Sequence, residues 1–194
     1  AGEYLKAAAI ADEDDRPPLY QSASLRLLTS GHVDEGLDTL KYALSSFDLP
    51  WPRSTWHAVA GLLYREGMLR TRGFRLANRS GPVSDREQKC LDVCWSAAAG
   101  LSVVDPVRGA FYVAENLLRT LRCGSARFLS RDLAAYMGHA AIGGNRSRRA
   151  VKNVLTVSRD VARADPHPYT RAMLSISRGI AALLRGDWPN TERC

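Results

Sequence analysis

The sequence predicts an all-α fold, an irregular α-solenoid of about nine helices. Three observations predict it. Apolar residues recur at the three- and four-residue spacing of one helix face, no stretch shows the sustained apolar alternation of a strand, and most glycines and prolines fall between the periodic stretches. The chain has 194 residues, 45% hydrophobic and 24% charged, which is the composition of a folded globular chain and long enough for one ordinary domain or a section of a repeat array.

The elements follow in order. Residues 2–11 read as a first helix, and Asp12-Glu13-Asp14-Asp15 followed by Arg16-Pro17-Pro18 closes it and opens the second, with proline tolerated in a first turn. Ala23, Leu25, Leu27 and Leu28 keep helical spacing until Ser30-Gly31 breaks it, and Val33, Gly36, Leu37, Leu40, Ala43 and Leu44 then form a third helix. Leu49-Pro50-Trp51-Pro52 ends one helix and starts another, because proline lacks an amide donor and restricts its predecessor. A long amphipathic helix is predicted from about Arg53 to Asn78, with Arg65, Arg70, Arg72, Arg75 and Arg79 on a polar face and Trp56, Val59, Leu62, Leu63 and Leu69 on an apolar one.

Ser84-x-x-Glu87 is a capping box that starts the next helix, carrying Cys90, Leu91, Cys94, Trp95, Ala98 and Leu101 with Trp95 in the core. Asp105-Pro106 opens another as N-cap and first-turn proline, and Cys123-Gly124 ends it. Leu133, Ala134, Met137, Ala140 and Ala141 make a stripe ending at Gly143-Gly144, followed by Ala150, Val151, Val154, Leu155 and Val161. A last pair begins at Tyr169, turns at Gly186-Asp187-Trp188 and stops at Cys194. One helical-repeat segment is expected, with an N-terminal part over 1–79 and helix pairs over 84–194, cut from a longer chain.

Chemistry is sparse. No Gly-x-x-x-x-Gly-Lys-Ser/Thr phosphate loop, His-Arg-Asp or Asp-Phe-Gly occurs, so phosphoryl transfer has no seat in these residues. Cys90 and Cys94 stand four apart on a helix, too far for a disulfide, and His32, His57, His139 and His167 are scattered without a Cys-x-x-Cys to make a zinc set. Asp34 and Glu35 complement a helix N-terminus. Neither catalytic residue, cofactor nor metal is expected. No apolar run reaches the roughly 18 residues of a membrane span, and a soluble cytoplasmic protein is expected.

The net charge of +7 is carried mainly by arginine. Candidate partner contacts, chosen by charge and predicted exposure, are Arg65, Arg72, Arg75 and Arg108 for a protein or peptide. The alternative is a nucleic-acid patch of Arg146, Arg148, Arg149 and Lys152, continued by Arg159 and Arg163, which would hold phosphates but offers no interleaved aromatic for base stacking.

The run Gly31-x-Val33-x-x-Gly36-Leu37-x-x-Leu40-x-x-Ala43 resembles the turn and second helix of a tetratricopeptide repeat, and the turn glycines Gly144 and Gly186 stand about 40 residues apart, near a helical-repeat period. Leu91 to Ser96 and Gly100 to Gly109, with Trp51-Pro52-Arg53 and Gly186-Asp187-Trp188, are similar to the helical-repeat region of large bacterial proteins that join a serine/threonine protein kinase to a STAND-type ATPase. The resemblance implies a TPR-like, noncatalytic sensor or docking region that engages a protein, or the kinase and ATPase parts of its own polypeptide. Pro189 and Thr191 depart from that pattern, where a repeat helix would carry helix formers and a small residue.

Overall fold

The computed structural model describes residues 1–77, 82–142, 147–165, 167–184 and 186–187. Among the described residues there are nine α-helices and no strand: α1 (Gly2–Ile10), α2 (Arg16–Thr29), α3 (Val33–Ser45), α4 (Thr55–Arg72), α5 (Asp85–Val104), α6 (Pro106–Cys123), α7 (Ala126–Ala141), α8 (Arg148–Ala164) and α9 (Pro168–Leu183). The all-α expectation holds. No helix among the described residues is long and apolar enough to cross a membrane. The turn at Gly143-Gly144, the tip at Trp188, and Arg79, Arg146, Pro189, Thr191 and Cys194 lie outside the described residues.

Two compact units divide the chain, the first comprising the described residues of 1–73 and 81–118 and the second those of 74–80 and 119–194. Helix α6 contributes residues to both.

In the first unit α2 packs on α1, α3 and α5. The α2–α3 hairpin turns where Gly31 adopts φ 87°, a left-handed conformation that a Cβ disfavours. Gly31 N–H donates to the Leu28 carbonyl and His32 N–H to that of Leu27, so two end carbonyls of α2 are satisfied. The small residues of the hairpin then decide how closely helices approach. A Cβ on Gly36 would sit 2.9 Å from the Leu28 side chain, and one on Gly100 of α5 2.7 Å from its Cδ1. Leu28, buried between two glycines, contributes about 1.5–3 kcal/mol through the apolar surface it removes from water.

Helix α5 begins at its capping box, with Ser84 accepting from Glu87 N–H and the Glu87 carboxylate accepting from Ser84 N–H at 3.0 Å. Lys89 ties this helix to the acidic run before α2, donating to the Asp14 carbonyl at 2.9 Å and to Asp15 at 3.2 Å. The α5 core is Leu91, Val93, Cys94, Ala97, Ala98 and Leu101, whereas Trp95 is only half-buried, so the expectation of a Trp95-filled core is corrected. Asp105 caps α6 by accepting from Arg108 N–H at 3.1 Å. Gly109 then lets α6 approach α5 so closely that a Cβ would lie 2.7 Å from the Ser102 backbone nitrogen.

In the second unit α7, α8 and α9 pack on one another. Val151, Val154, Ser158 and Val161 form the buried stripe of α8, and Leu129, Leu133 and Met137 that of α7. The buried Asp132 carboxylate accepts from Thr120 at 2.5 Å and pairs with Arg131 at 3.5 Å, so its charge is met by a donor and a cation instead of water. Phe74 meets the ring of Tyr136 edge-on at 5.8 Å, and Ala77 N–H donates to the Leu121 carbonyl.

Candidate functional site

Helix α4 departs most from its sequence reading. It runs from Thr55 to Arg72 and not on to Asn78, because Gly73 takes φ 69° and caps it, leaving 73–77 non-helical. Its faces are also rotated relative to expectation. Ala58 and Leu69 are buried, and between them on the same stripe Arg65 turns inward. Trp56 and Leu63, expected in the core, are 81% and 67% exposed, as is Tyr64 at 67%.

Arg65 is held from three sides within the first unit. Its Nε–H donates to Glu115 Oε2 of α6 at 2.6 Å, its Nη1 to the Gly61 carbonyl at 3.0 Å, and its guanidinium stacks 3.9 Å from the centre of the Phe111 ring. Gly61 makes room for that ring, since a Cβ there would lie 2.6 Å from Phe111. The side chains of Arg65 and Glu115 are 14% and 12% exposed, so Arg65 is a structural cation and its predicted exposure is corrected.

Arg108 has a similar fate. Its guanidinium pairs with the Asp105 carboxylate, its Nε–H donates to the Pro52 carbonyl at 3.1 Å, and it faces the Trp51 ring at 5.3 Å, with Lys41 5.6 Å from that same ring. Its side chain is 19% exposed, and it pins the Pro50-Trp51-Pro52 segment to the start of α6. The exposure expected of Arg108 is corrected on the same ground. Nearby, Tyr112 donates its hydroxyl to the Pro50 carbonyl at 2.6 Å, and burial, then the neighbouring Cys94 and Glu115, push that phenol well above its ordinary range.

Arg72 and Arg75 are exposed, Arg72 at the last turn of α4 in the first unit and Arg75 in the second. The alternative patch is on α8, where Arg148, Arg149, Lys152, Arg159 and Arg163 are all exposed. Arg148, Lys152, Arg159 and Arg163 share one face of the helix, Arg163 pairing with Asp160 at 3.3 Å. Arg146 lies outside the described residues. Cys94 and Cys123 are buried thiols and Cys90 is half-buried. Among the described residues no group of three or more His, Cys, Asp or Glu side chains is placed to hold a metal ion.

What sequence reasoning missed is the apolar surface itself. The signal was present: α4 carries apolar residues on opposite sides, Ala58, Leu62 and Leu69 on one and Trp56, Leu63 and Tyr64 on the other, and a fold needs only one of them. The chain matches no family model, and no curated protein or solved structure is significantly similar to it.

Proposed function

We propose that this chain is a noncatalytic helical-repeat scaffold that binds a protein or peptide, or other parts of its own polypeptide. The observation that carries the proposal is α4, which packs one face on α6 through Gly61 and Arg65 while presenting Trp56, Leu63 and Tyr64 on the other. Scattered exposed apolar residues are normal, but three large ones on a single helix face are the usual composition of an interaction surface. The sequence resemblance supplies the context, a cytoplasmic sensor region beside a serine/threonine kinase and a STAND-type ATPase. Immobilised chain incubated with an extract of its source cells, followed by reconstitution with each captured protein or with the parent domains, tests the scaffold. A stoichiometric complex is expected, and recovery of neither overturns the proposal.

A second reading, an Arg-rich nucleic-acid-binding module, is favoured by the exposed cationic stripe on α8. It ranks lower because α8 carries no aromatic residue for base stacking. Fluorescence anisotropy with generic duplex DNA and single-stranded RNA in a salt titration separates the two. This reading requires measurable affinity at low salt that falls steeply as salt rises and is lost in Arg148→Glu/Lys152→Glu.

A further inference from the structure

We propose that the outward face of α4 is a docking site for one amphipathic helix of a partner protein, apolar along a stripe and flanked by carboxylates. The proposal rests on the scaffold reading and names the chemistry of its partner.

The geometry comes from the helix itself. At about 100° per residue, Trp56, Ala60, Leu63, Gly67 and Arg70 fall within an arc of roughly 80°, opposite the inward stripe of Ala58, Arg65 and Leu69. All five outward positions are exposed. From Trp56 to Arg70 the face runs about 21 Å, matching a partner helix of four turns. The small residues Ala60 and Gly67 alternate with Trp56 and Leu63, and a Cβ on Gly67 would meet nothing within 4 Å. That alternation leaves hollows between large side chains, which is what lets a second helix seat its own side chains at an interaxial distance of about 8–10 Å.

Charge selects the occupant. Arg53, just before the helix, and Arg70 in its last turns are exposed, with His57 exposed beside Trp56. Arg53 and Arg70 make no ion pair with a described residue. Glu66 is the one acidic residue of α4 and lies half-buried outside the arc. A helix whose outward face is apolar and whose two ends each carry an exposed arginine complements a helix with carboxylates at both ends.

The same charges disfavour a second copy. A twofold axis across the helix would set Arg53 against Arg70 of the other copy, and one along it would set Arg70 against Arg70, like charge on like in either case. A four-turn face also covers only a few hundred Å², below the roughly 800 Å² per partner of a standard stable interface, which suits a single docked helix. A lipid surface would need no hollows between its large side chains.

The test uses the whole chain and two designed peptides of 18 residues, each with leucines on a helical stripe, one flanked by glutamates and the other by lysines. Fluorescence anisotropy is expected to show the Glu-flanked peptide binding at least tenfold more tightly. Trp56→Ala/Leu63→Ala should weaken it at least tenfold with an unchanged circular-dichroism melt, and Arg53→Glu/Arg70→Glu should reverse the preference toward the Lys-flanked peptide. The inference is overturned by equal binding of the two peptides, by binding insensitive to both variants, by a concentration-dependent dimer that Leu63→Ala abolishes, or by tighter binding to phosphatidylserine-containing vesicles than to the peptide. Should the peptide fail while a partner protein is captured and its complex survives both variants, docking on α4 falls and the scaffold stands. Should no partner be captured either, both fall.

Discussion

Arg65 of α4 and Glu115 of α6 form an ion pair at 2.6 Å with both side chains almost wholly withdrawn from water. Desolvating two charges is costly, and the pair is sustained because the guanidinium also bonds the Gly61 carbonyl and covers the Phe111 ring. Removing one partner leaves the other charge buried. Arg65→Ala is therefore expected to destabilise the first unit by about 3–5 kcal/mol, whereas Arg65→Met/Glu115→Leu, which removes both charges and keeps volume, should return close to wild-type stability. Urea unfolding followed by circular dichroism measures both, and a double variant as unstable as the single one would show that the charges themselves stabilise the fold.

Two helical glycines should respond oppositely to the same substitution. In Gly109→Ala the new methyl meets the backbone of Ser102, N at 2.7 Å and Cα at 2.8 Å, which a rotamer change cannot relieve. A loss of about 1–3 kcal/mol is expected from that overpacking. Gly138 in α7 has nothing within 4 Å of the added atom, so Gly138→Ala should gain roughly 0.5–1 kcal/mol through reduced backbone entropy in the unfolded chain. Thermal melts of the two variants should move in opposite directions.

The parts of the fold legible in the sequence are those decided locally. Ser84 and Glu87 form their capping box within one turn, Asp105 caps α6 three residues from its donor, and Gly31 reverses the chain at the position its neighbours announce. The faces of α4 are decided remotely. With apolar residues on both sides, helical periodicity cannot say which stripe is core, and the partner that draws Arg65 inward lies 50 residues away at Glu115. For the same reason Arg65 and Arg108 passed for surface charges: Glu115 and the Phe111 ring for Arg65, and the Pro52 carbonyl and Trp51 ring for Arg108, make burial tolerable, and these remote partners meet them only in the folded chain. The α8 stripe was legible because its cationic positions are separated from Val151, Val154 and Val161 by an ordinary amphipathic pattern.

Tyr112 couples stability to alkaline pH. Its hydroxyl donates to the Pro50 carbonyl at 2.6 Å, and Tyr112→Phe should cost about 1 kcal/mol at neutral pH through loss of that bond. Burial, with Cys94 and Glu115 behind it, raises the folded-state pKa above the ordinary tyrosine value of about 10. The unfolded chain thus ionises first, and stability fully present below pH 10 is lost as the pH climbs beyond it. Melting temperatures across pH 8 to 11 should fall more steeply for the wild type than for Tyr112→Phe, narrowing the difference between them.

Asp165, between α8 and α9, gives the acid counterpart. Its carboxylate accepts from the Thr170 hydroxyl at 2.8 Å and from His167 N–H at 3.2 Å, and these two bonds, the Thr170 one first, lower its pKa below the ordinary carboxyl value. A depressed folded-state pKa means that the stabilisation is complete above the unfolded value of about 3.9 and is lost as pH falls through the folded one. Thr170→Val removes the largest cause while keeping the side chain's volume at a buried position. The variant should melt below the wild type near neutral pH, and the gap should shrink as both are titrated below about pH 4. Melting curves at stepped pH, with the Asp165 carboxyl followed by NMR, read both quantities. A gap that stays constant into acid would assign the effect of Thr170 to packing alone and overturn the role of its bond to the ionised carboxylate.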